Sequence, residues 1–235
     1  MEARFIARHR FLYEQLVYWI VFFVGIVIMN FGIALMITAS LGSAPWDVFH
    51  IGLFQNLGLT IGTWSIIVGL FILGLTAILK KERPQIGAFA NMFIGGVMLD
   101  FFLSLPFMKT PSLLSEQIAM LIVALAFNGI GISIYISAKR GAGPRDTLML
   151  YLTEVTGLKL STTRRLMELF VLIIGWFLGG PVSIGTILFG LFIGSVVGKI
   201  LPICENIVKH ILGRGAHIEN IHKRPIRADH YDGFR

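Results

Sequence analysis

The feature that most constrains the fold is a series of six apolar runs. Each run is long enough to cross the roughly 30 Å hydrocarbon core of a bilayer as a helix. The runs cover residues 16–39, 61–79, 86–105, 118–138, 162–179 and 184–201. The chain is 55% hydrophobic and 14% charged, with a mean hydropathy of +0.79, which is far from the composition of a soluble domain. We therefore expect an all-α membrane protein with six transmembrane helices.

The distribution of basic residues predicts the orientation of these helices. If the amino terminus is cytoplasmic, every Lys and Arg except Lys109 falls on the cytoplasmic side of a six-span arrangement. Such a bias is typical of cytoplasmic loops. It predicts six spans with both termini in the cytoplasm, and it explains the formal charge of +7 without a nucleic-acid partner. The expected surroundings are the lipid bilayer.

The two halves of the chain repeat each other. A shift of 99 residues gives eleven identities in the 32 positions from 32 to 63, including Pro45 with Pro144 and Asp47 with Asp146. A shift of 98 then pairs Gly87 with Gly185. Each copy contains three spans, so the second copy lies inverted relative to the first, as in many secondary transporters.

Each repeat also contains a short segment, 45–56 or 144–155, that follows its first span. Twelve residues reach only about 18 Å as a helix, so we expect these helices not to span. Whether they lie at the surface or dip into the membrane is left open by their periodicity. We expect a cytoplasmic amino terminus over 1–15, membrane repeats over 16–110 and 111–204, and a cytoplasmic tail over 205–235.

The short segments carry the first candidate site residues. Proline suits the first turn of a helix, and an acid there is favoured by the helix dipole, so Asp47 and Asp146 have a capping interpretation as well as a binding one. His50 lies three residues after Asp47 and has two interpretations, a proton-sensitive partner of that acid or a polar anchor at the interface. Arg145 accompanies Asp146. These residues are predicted near opposite mouths of a path.

Polar residues inside the spans complete the candidate path. Asn30 and Asn128 lie at similar depth in the two repeats, and hydrogen bonding between helices is the favoured alternative for both. Glu168 lies in the fifth span, where an ion pair with Arg165 is the favoured alternative. No metal-ligand cluster, activated nucleophile or phosphate loop is present, so we expect no metal, no cofactor and no enzyme activity.

The last predicted span carries a ridge of glycines, Gly190, Gly194 and Gly198, at four-residue spacing. Small residues at this spacing permit close approach of another helix. The partner helix belongs either to the same copy of the chain or to a second copy in a homodimer.

Several motifs together resemble the YczE/YyaS/YitT group of bacterial integral membrane proteins, and most of all its YczE-like branch. They are LGSAPWDVFHIGL, GLTIGTWSIIVG, RPQIGAFANMFIGGVMLDFF, GAGPRDTLML and GGPVSIGTILFGLFIG, within residues 30–205. The resemblance implies a multi-pass inner-membrane protein of uncharacterised function, in a group with some members linked to the regulation of antibiotic or secondary-metabolite production. It supplies no catalytic residues.

The leading hypothesis from the sequence is a small permease for an unknown small-molecule or ion substrate, with its path between the two inverted repeats. It rests on the repeat and on the paired Pro-x-Asp motifs. The alternative is a non-transporting membrane regulator or scaffold that acts through a basic cytoplasmic face. A membrane enzyme is a distant third.

Overall fold

The computed structural model describes residues 2–141 and 143–212, with side chains from residue 11 onward. The part of the predicted tail beyond residue 212 lies outside the described residues. Within the described ranges the chain forms eight helices and no strand. The helices are α1 (Glu2–Ala39), α2 (Pro45–Leu57), α3 (Ile61–Lys80), α4 (Ile86–Leu103), α5 (Leu114–Ser137), α6 (Pro144–Thr156), α7 (Leu160–Phe177) and α8 (Ile184–Ile211). The six long helices lie where the apolar runs predict them, and α2 and α6 are the two predicted short helices.

Five of these helices are long and apolar enough to cross a membrane. They are the Phe11–Ala39 part of α1, together with α3, α4, α5 and α8. The predicted fifth span corresponds to α7, which has only 18 residues and includes Arg164, Arg165 and Glu168. A multi-pass helical protein is therefore confirmed. Six spans are not confirmed, because α7 contains three charged residues and is not among the five helices that are apolar enough to cross a membrane.

Helices α1 and α5 form the centre of the fold, where they cross in close backbone contact. A Cβ atom added at Gly32 on α1 would lie 2.6 Å from the backbone nitrogen of Asn128 on α5. Glycines on both helices, Gly25 and Gly131 among them, face the backbone of the other helix in the same way. Small residues at these positions allow two membrane helices to pack backbone to backbone.

The remaining helices surround this pair. Helix α4 packs on α1 and α8 packs on α5, while α2 contacts α3 and α7, and α6 contacts the same two helices. Helix α3 packs extensively on α4, whereas α7 and α8 make little or no contact with each other in the described part of the chain. The second half is therefore more open than the first.

The glycine ridge of α8 does not pack within this copy of the chain. Among the described residues, no atom lies within 4 Å of a Cβ added at Gly190, Gly194 or Gly198. The expectation that the ridge packs inside one copy is therefore wrong, because α8 contacts α5 through another face, to which Phe189 and Ile193 belong. A homodimer stays a prediction.

The two short helices begin in the same way because their preceding loops have the same backbone conformation. Gly42 and Gly141 adopt φ values of 99° and 122°, in the region that favours glycine. Three residues later a proline occupies the first turn of α2 and of α6, where the missing N–H costs no helical hydrogen bond. Each loop thus turns the chain back from the end of a long helix into a short one.

Candidate functional site

A cavity of about 190 Å³ inside the protein is lined by charged and polar side chains as well as apolar ones. It lies at the N-terminal ends of α2 and α6, and α1, α3, α4, α5, α7 and α8 also contribute to its wall. All seven candidate residues from the sequence line this cavity: Asn30, Asp47, His50, Asn128, Arg145, Asp146 and Glu168. The structure thus brings them together, and their role in binding stays a prediction.

The closest charged contact between the two short helices joins Asp47 to Arg145. One guanidinium nitrogen of Arg145 lies 4.0 Å from a carboxylate oxygen of Asp47. The guanidinium carbon also lies 4.9 Å from the centre of the Trp46 ring, an arrangement in which the ring face attracts the cation. The expectation that these residues lie near opposite mouths is wrong, since both short helices begin at the same cavity.

Asp47 is only 3% exposed, although an isolated buried carboxylate is costly. The N-cap residue of α2 is Ala44, whose side chain cannot accept a capping hydrogen bond, and Asp47 lies in the first turn of the helix. The helix dipole stabilises an acid there by typically 0.3–1 kcal/mol. Arg145 supplies the second compensation, but 4.0 Å is longer than a hydrogen bond. The contact leaves both groups with unused hydrogen-bonding capacity towards the cavity.

His50 lies one turn further along α2 and is only 1% exposed. Neither of its ring nitrogens has a hydrogen-bond partner in the described part of the protein. The interpretation of His50 as a polar anchor at the membrane interface is therefore wrong, because the side chain is enclosed by protein. A buried, unpartnered imidazole that lines a polar cavity indicates a position for a ligand or water.

The two asparagines differ in how they are satisfied. Asn30 donates to the carbonyl of Ile26 in its own helix, at 2.8 Å. Asn128 is 2% exposed, and its side-chain nitrogen has no partner among the described residues. The predicted hydrogen bonds between helices are therefore absent from the described chain for both side chains. Asn128 presents a free donor to the cavity.

The other two acids are held by neighbouring side chains. The hydroxyl of Tyr135 on α5 donates to Asp146 at 3.2 Å. Arg164 donates to Glu168 at 2.9 Å, one helical turn away on α7. The predicted partner of Glu168, Arg165, is therefore wrong. Arg164 and Arg165 lie four and three residues before Glu168, both spacings place an arginine on the same helix face, and the ion pair forms with Arg164.

Four polar residues of the cavity wall were missed by reasoning from the sequence alone. They are Ser65, Asn91, Tyr135 and Arg164. The signal for Tyr135 was a hydroxyl-bearing side chain in the middle of an apolar helix, where its O–H needs a partner. Arg164 and Asn91 are polar residues within predicted spans, but their place in this site could not be inferred, because only the tertiary fold brings α4 and α7 beside α2 and α6.

The two short helices differ strongly in burial. Seven residues of α2 are buried, from Pro45 to Gly52, whereas only Pro144 is buried on α6. Helix α2 is covered by α7 and the loop after it. A Cβ at Gly175 would lie 2.6 Å from the backbone nitrogen of Phe49, and Asn56 donates to the carbonyl of Leu178 at 2.6 Å. The cavity is therefore sealed around α2 and accessible around α6.

Comparison with known proteins places the chain among uncharacterised bacterial membrane proteins. Residues 16–202 match a family described as "Family of unknown function (DUF6198)". The chain is 39% identical over 203 residues to the "Uncharacterized membrane protein YczE" of Bacillus subtilis (strain 168), an alignment that covers 86% of this chain and 93% of that protein. The resemblance to the YczE and YyaS group that the motifs indicate is confirmed.

Two further relatives agree with this assignment. The "Uncharacterized protein YyaS" of Bacillus subtilis (strain 168) is 29% identical over 194 residues, covering 81% of this chain and 94% of its own. An "Uncharacterized protein" of Haemophilus influenzae (strain ATCC 51907 / DSM 11121 / KW20 / Rd) is 30% identical over 176 residues, covering 75% and 79%. No solved structure matches the chain.

Proposed function

The chain belongs to the DUF6198 family, and on that premise we propose that it is a small permease of the bacterial inner membrane. The observation that carries the proposal is the cavity at the meeting point of α2 and α6, lined by charged residues from both halves of the chain. In secondary transporters with internal repeats, the substrate site lies between the repeats and is typically formed by discontinuous helices whose half-helix N-termini point at the substrate.

Reciprocal contacts between the halves support a two-fold relation between them. The counterparts of Gly32 and Met29 under the 99-residue shift are Gly131 and Asn128. A Cβ at Gly32 would meet the backbone of Asn128, and a Cβ at Gly131 would meet the backbone of Met29. Each contact is therefore the image of the other when the two halves are exchanged.

A second reciprocal pair involves the loops before the short helices. A Cβ at Gly87 on α4 would meet the carbonyl of Arg140, and one at Gly185 on α8 would lie 2.7 Å from the carbonyl of Leu41. Gly185 and Arg140 are the counterparts of Gly87 and Leu41 under the shifts of 98 and 99. Both halves therefore use the same glycine to close on the same loop.

The direction of α1 and α5 supports inversion of the repeats. Contacts pair Gly25 with Tyr135 and Gly32 with Asn128, so the residue number rises along α1 as it falls along α5. The two helices are thus antiparallel, and a two-fold axis that exchanges them is perpendicular to both. If both cross the bilayer, this axis lies in the membrane plane, as alternating access between inverted repeats requires.

We complete the proposal with six spans, in which α7 crosses the membrane as the fifth, and with both termini in the cytoplasm. This arrangement puts all basic residues except Lys109 on one side. In this arrangement α6, the more exposed of the two short helices, lies on the cytoplasmic side. Helix α2, the more buried one, lies on the outer side. The unequal burial of two repeat-related helices is what one end state of an alternating-access cycle requires.

The experiment is labelling of a single cysteine at Met149, which lines the cavity on α6. Cys204, the one native cysteine, is first replaced by Ser. Vesicles of both orientations are treated with a membrane-impermeant methanethiosulfonate reagent. A permease exposes Met149→Cys to both sides in turn, with faster labelling from the cytoplasmic side. The control is Val155→Cys, which is 64% exposed on the same helix and is labelled from one side only.

Labelling of Met149→Cys from one side alone, at the same ratio as Val155→Cys, would refute the permease. A regulator or scaffold, the second candidate from the sequence, predicts this outcome, because it needs no cavity that opens to both sides. It also predicts that Asp47→Asn, which removes one negative charge from the cavity, leaves the cellular phenotypes unchanged.

A further inference from the structure

The charges around the cavity indicate what kind of solute it accepts. Three carboxylates and two guanidinium groups line it, those of Asp47, Asp146, Glu168, Arg145 and Arg164. With His50 neutral, the side chains sum to one negative charge. Arg164 and Glu168 are already hydrogen-bonded to each other, so the groups open to a ligand are the remaining three.

Two helix N-termini offset this negative charge. Ala44 and Pro45 at the start of α2 line the cavity, and so do Gly143 and Pro144 at the start of α6. Each helix N-terminus acts as roughly half a positive charge. The cavity is therefore close to neutral when it is empty, and a solute with a net charge would leave that charge uncompensated in a low-dielectric site.

Unused hydrogen-bonding groups face the same space from three helices. His50 and the amide nitrogen of Asn128 are at least nine-tenths buried and have no partner among the described residues. Arg145 remains 38% accessible, and its contact with Asp47, at 4.0 Å, is too long for a hydrogen bond. Buried polar groups in native proteins are nearly always satisfied, so His50 and Asn128 require a ligand or water, and Arg145 can bind the same ligand.

The size of the cavity limits the ligand to a small molecule. A volume of about 190 Å³ is below the roughly 300–1,000 Å³ of pockets that hold drug-sized ligands. Both signs of charge line this short space, the guanidinium of Arg145 and the carboxylates of Asp47 and Asp146. A sugar or another uncharged solute would offer no ionic partner to either sign.

We infer that the cavity binds a small zwitterion, a solute that carries one carboxylate and one ammonium group. Its carboxylate contacts Arg145, with the donors of Asn128 and His50 close by, and its ammonium group contacts the carboxylate of Asp146. The inference rests on the proposed function, since it names the class of solute that the permease would carry. It differs from a cation or an anion site in requiring both charges on the same molecule.

The test compares three molecules that share a two-carbon chain and carry either both charged groups or only one of them. β-Alanine carries both groups, propionate lacks the amine, and ethylammonium lacks the carboxylate. Binding to the purified protein in nanodiscs is measured by the shift in melting temperature, with glycine and γ-aminobutyrate added to vary the distance between the charges. One charge-assisted hydrogen bond is worth about 1.5–3 kcal/mol, so the single-charge analogues should bind roughly tenfold to hundredfold more weakly.

Two variants assign the ends of the ligand. Arg145→Gln should abolish the preference for β-alanine over ethylammonium, and Asp146→Asn should abolish the preference for β-alanine over propionate. The matched controls are Arg165→Gln and Glu154→Gln, neighbouring charges on α7 and α6 that do not line the cavity. Both controls should retain the two preferences.

The outcomes separate this inference from the permease itself. The zwitterion site would be overturned if propionate or ethylammonium bound as tightly as β-alanine. It would also be overturned if no zwitterion in the series bound. If labelling of Met149→Cys is nevertheless two-sided, the permease stands with another substrate. If β-alanine binds with both preferences while labelling is one-sided, the zwitterion site stands and transport does not.

Discussion

Arg145 lies 4.0 Å from Asp47, and this contact joins the first turns of two short helices that come from opposite halves of the chain. The acid is buried and the guanidinium is partly accessible, over the face of Trp46. Both helices begin with a proline and have an acid in the first turn. The pair therefore connects a sequence repeat to a site, and its energetics can be tested directly.

Neutralisation of Asp47 should destabilise the protein by more than a capping role allows. Asp47→Asn leaves Arg145 without its nearest counter-charge, and we expect a loss of about 1–3 kcal/mol in the free energy of unfolding in detergent. This is below the roughly 3–5 kcal/mol of a fully buried pair, because Arg145 is 38% accessible. A cap alone would contribute about 0.3–1 kcal/mol.

A double-mutant cycle distinguishes the ion pair from the cap. Asp47→Asn combined with Arg145→Gln should lose less than the sum of the single variants, since no unpaired charge remains. If the losses are additive and Asp47→Asn costs under about 1 kcal/mol, the acid acts only as a cap.

Alanine at the glycines between α1 and α5 should weaken the central helix pair. Gly32→Ala puts a methyl group 2.6 Å from a backbone nitrogen, and Gly131→Ala meets the backbone of Met29. Overpacking of this kind typically costs about 1–3 kcal/mol, measured as the free energy of unfolding. Because the contacts are reciprocal, the two variants should have similar effects.

The control for these variants is Gly74→Ala on α3, where a Cβ has no atom within 4 Å among the described residues. It should be neutral or stabilising by up to about 1 kcal/mol, since alanine is the better helix former. A destabilisation by Gly74→Ala equal to that of Gly32→Ala would show that close packing is not the cause.

Loss of the Asn56 contact should loosen the sealed side of the cavity. The Asn56 side chain joins the end of α2 to the loop after α7 through the carbonyl of Leu178. Asn56→Ala removes a hydrogen bond worth about 1 kcal/mol, which corresponds to a roughly fivefold change in the population of the opened state. We expect the slow labelling of Met149→Cys, from the outer side, to accelerate by that factor.

Thr156→Ala is the matched control for Asn56→Ala. Thr156 lies at the end of α6, donates to Leu152 in its own helix and accepts from the backbone nitrogen of Leu158 two residues later, so it contacts no distant segment. The outer labelling rate should not change in this variant. Equal rates in Asn56→Ala and the parent protein would mean that this contact does not hold the cavity closed.

Removal of Asp100 should destabilise the start of α3. Its carboxylate, on α4, accepts hydrogen bonds from the backbone nitrogen of Gly62, at 2.8 Å, and from the hydroxyl of Thr60. Asp100→Ala should cost about 1–2 kcal/mol, the usual range for the loss of a helix cap. Glu116→Ala, in the first turn of α5, loses only the dipole contribution and should cost less than about 1 kcal/mol.

Local patterns were sufficient to predict the helices. The bounds of α2 and α6 agree within one residue with the predicted segments 45–56 and 144–155, because proline at one end and glycine at the other are strong signals. The seven candidate site residues were selectable because polar side chains are conspicuous in apolar helices. Tyr135, Asn91 and Arg164 were less conspicuous, and their neighbours across the cavity could not be predicted.

A multi-pass helical membrane protein, the repeat of its two halves and the polar residues in apolar surroundings can all be inferred from local patterns in the chain. Hydrophobicity and turn chemistry act over a few residues, so the amino-acid sequence is enough to predict them. The contact of Asp47 with Arg145, the enclosure of His50 and the greater burial of α2 than of α6 follow from tertiary packing alone. These features depend on how α1 crosses α5 and on how α7 covers α2. Packing between segments that are distant in the sequence leaves no periodic pattern in the sequence of either segment.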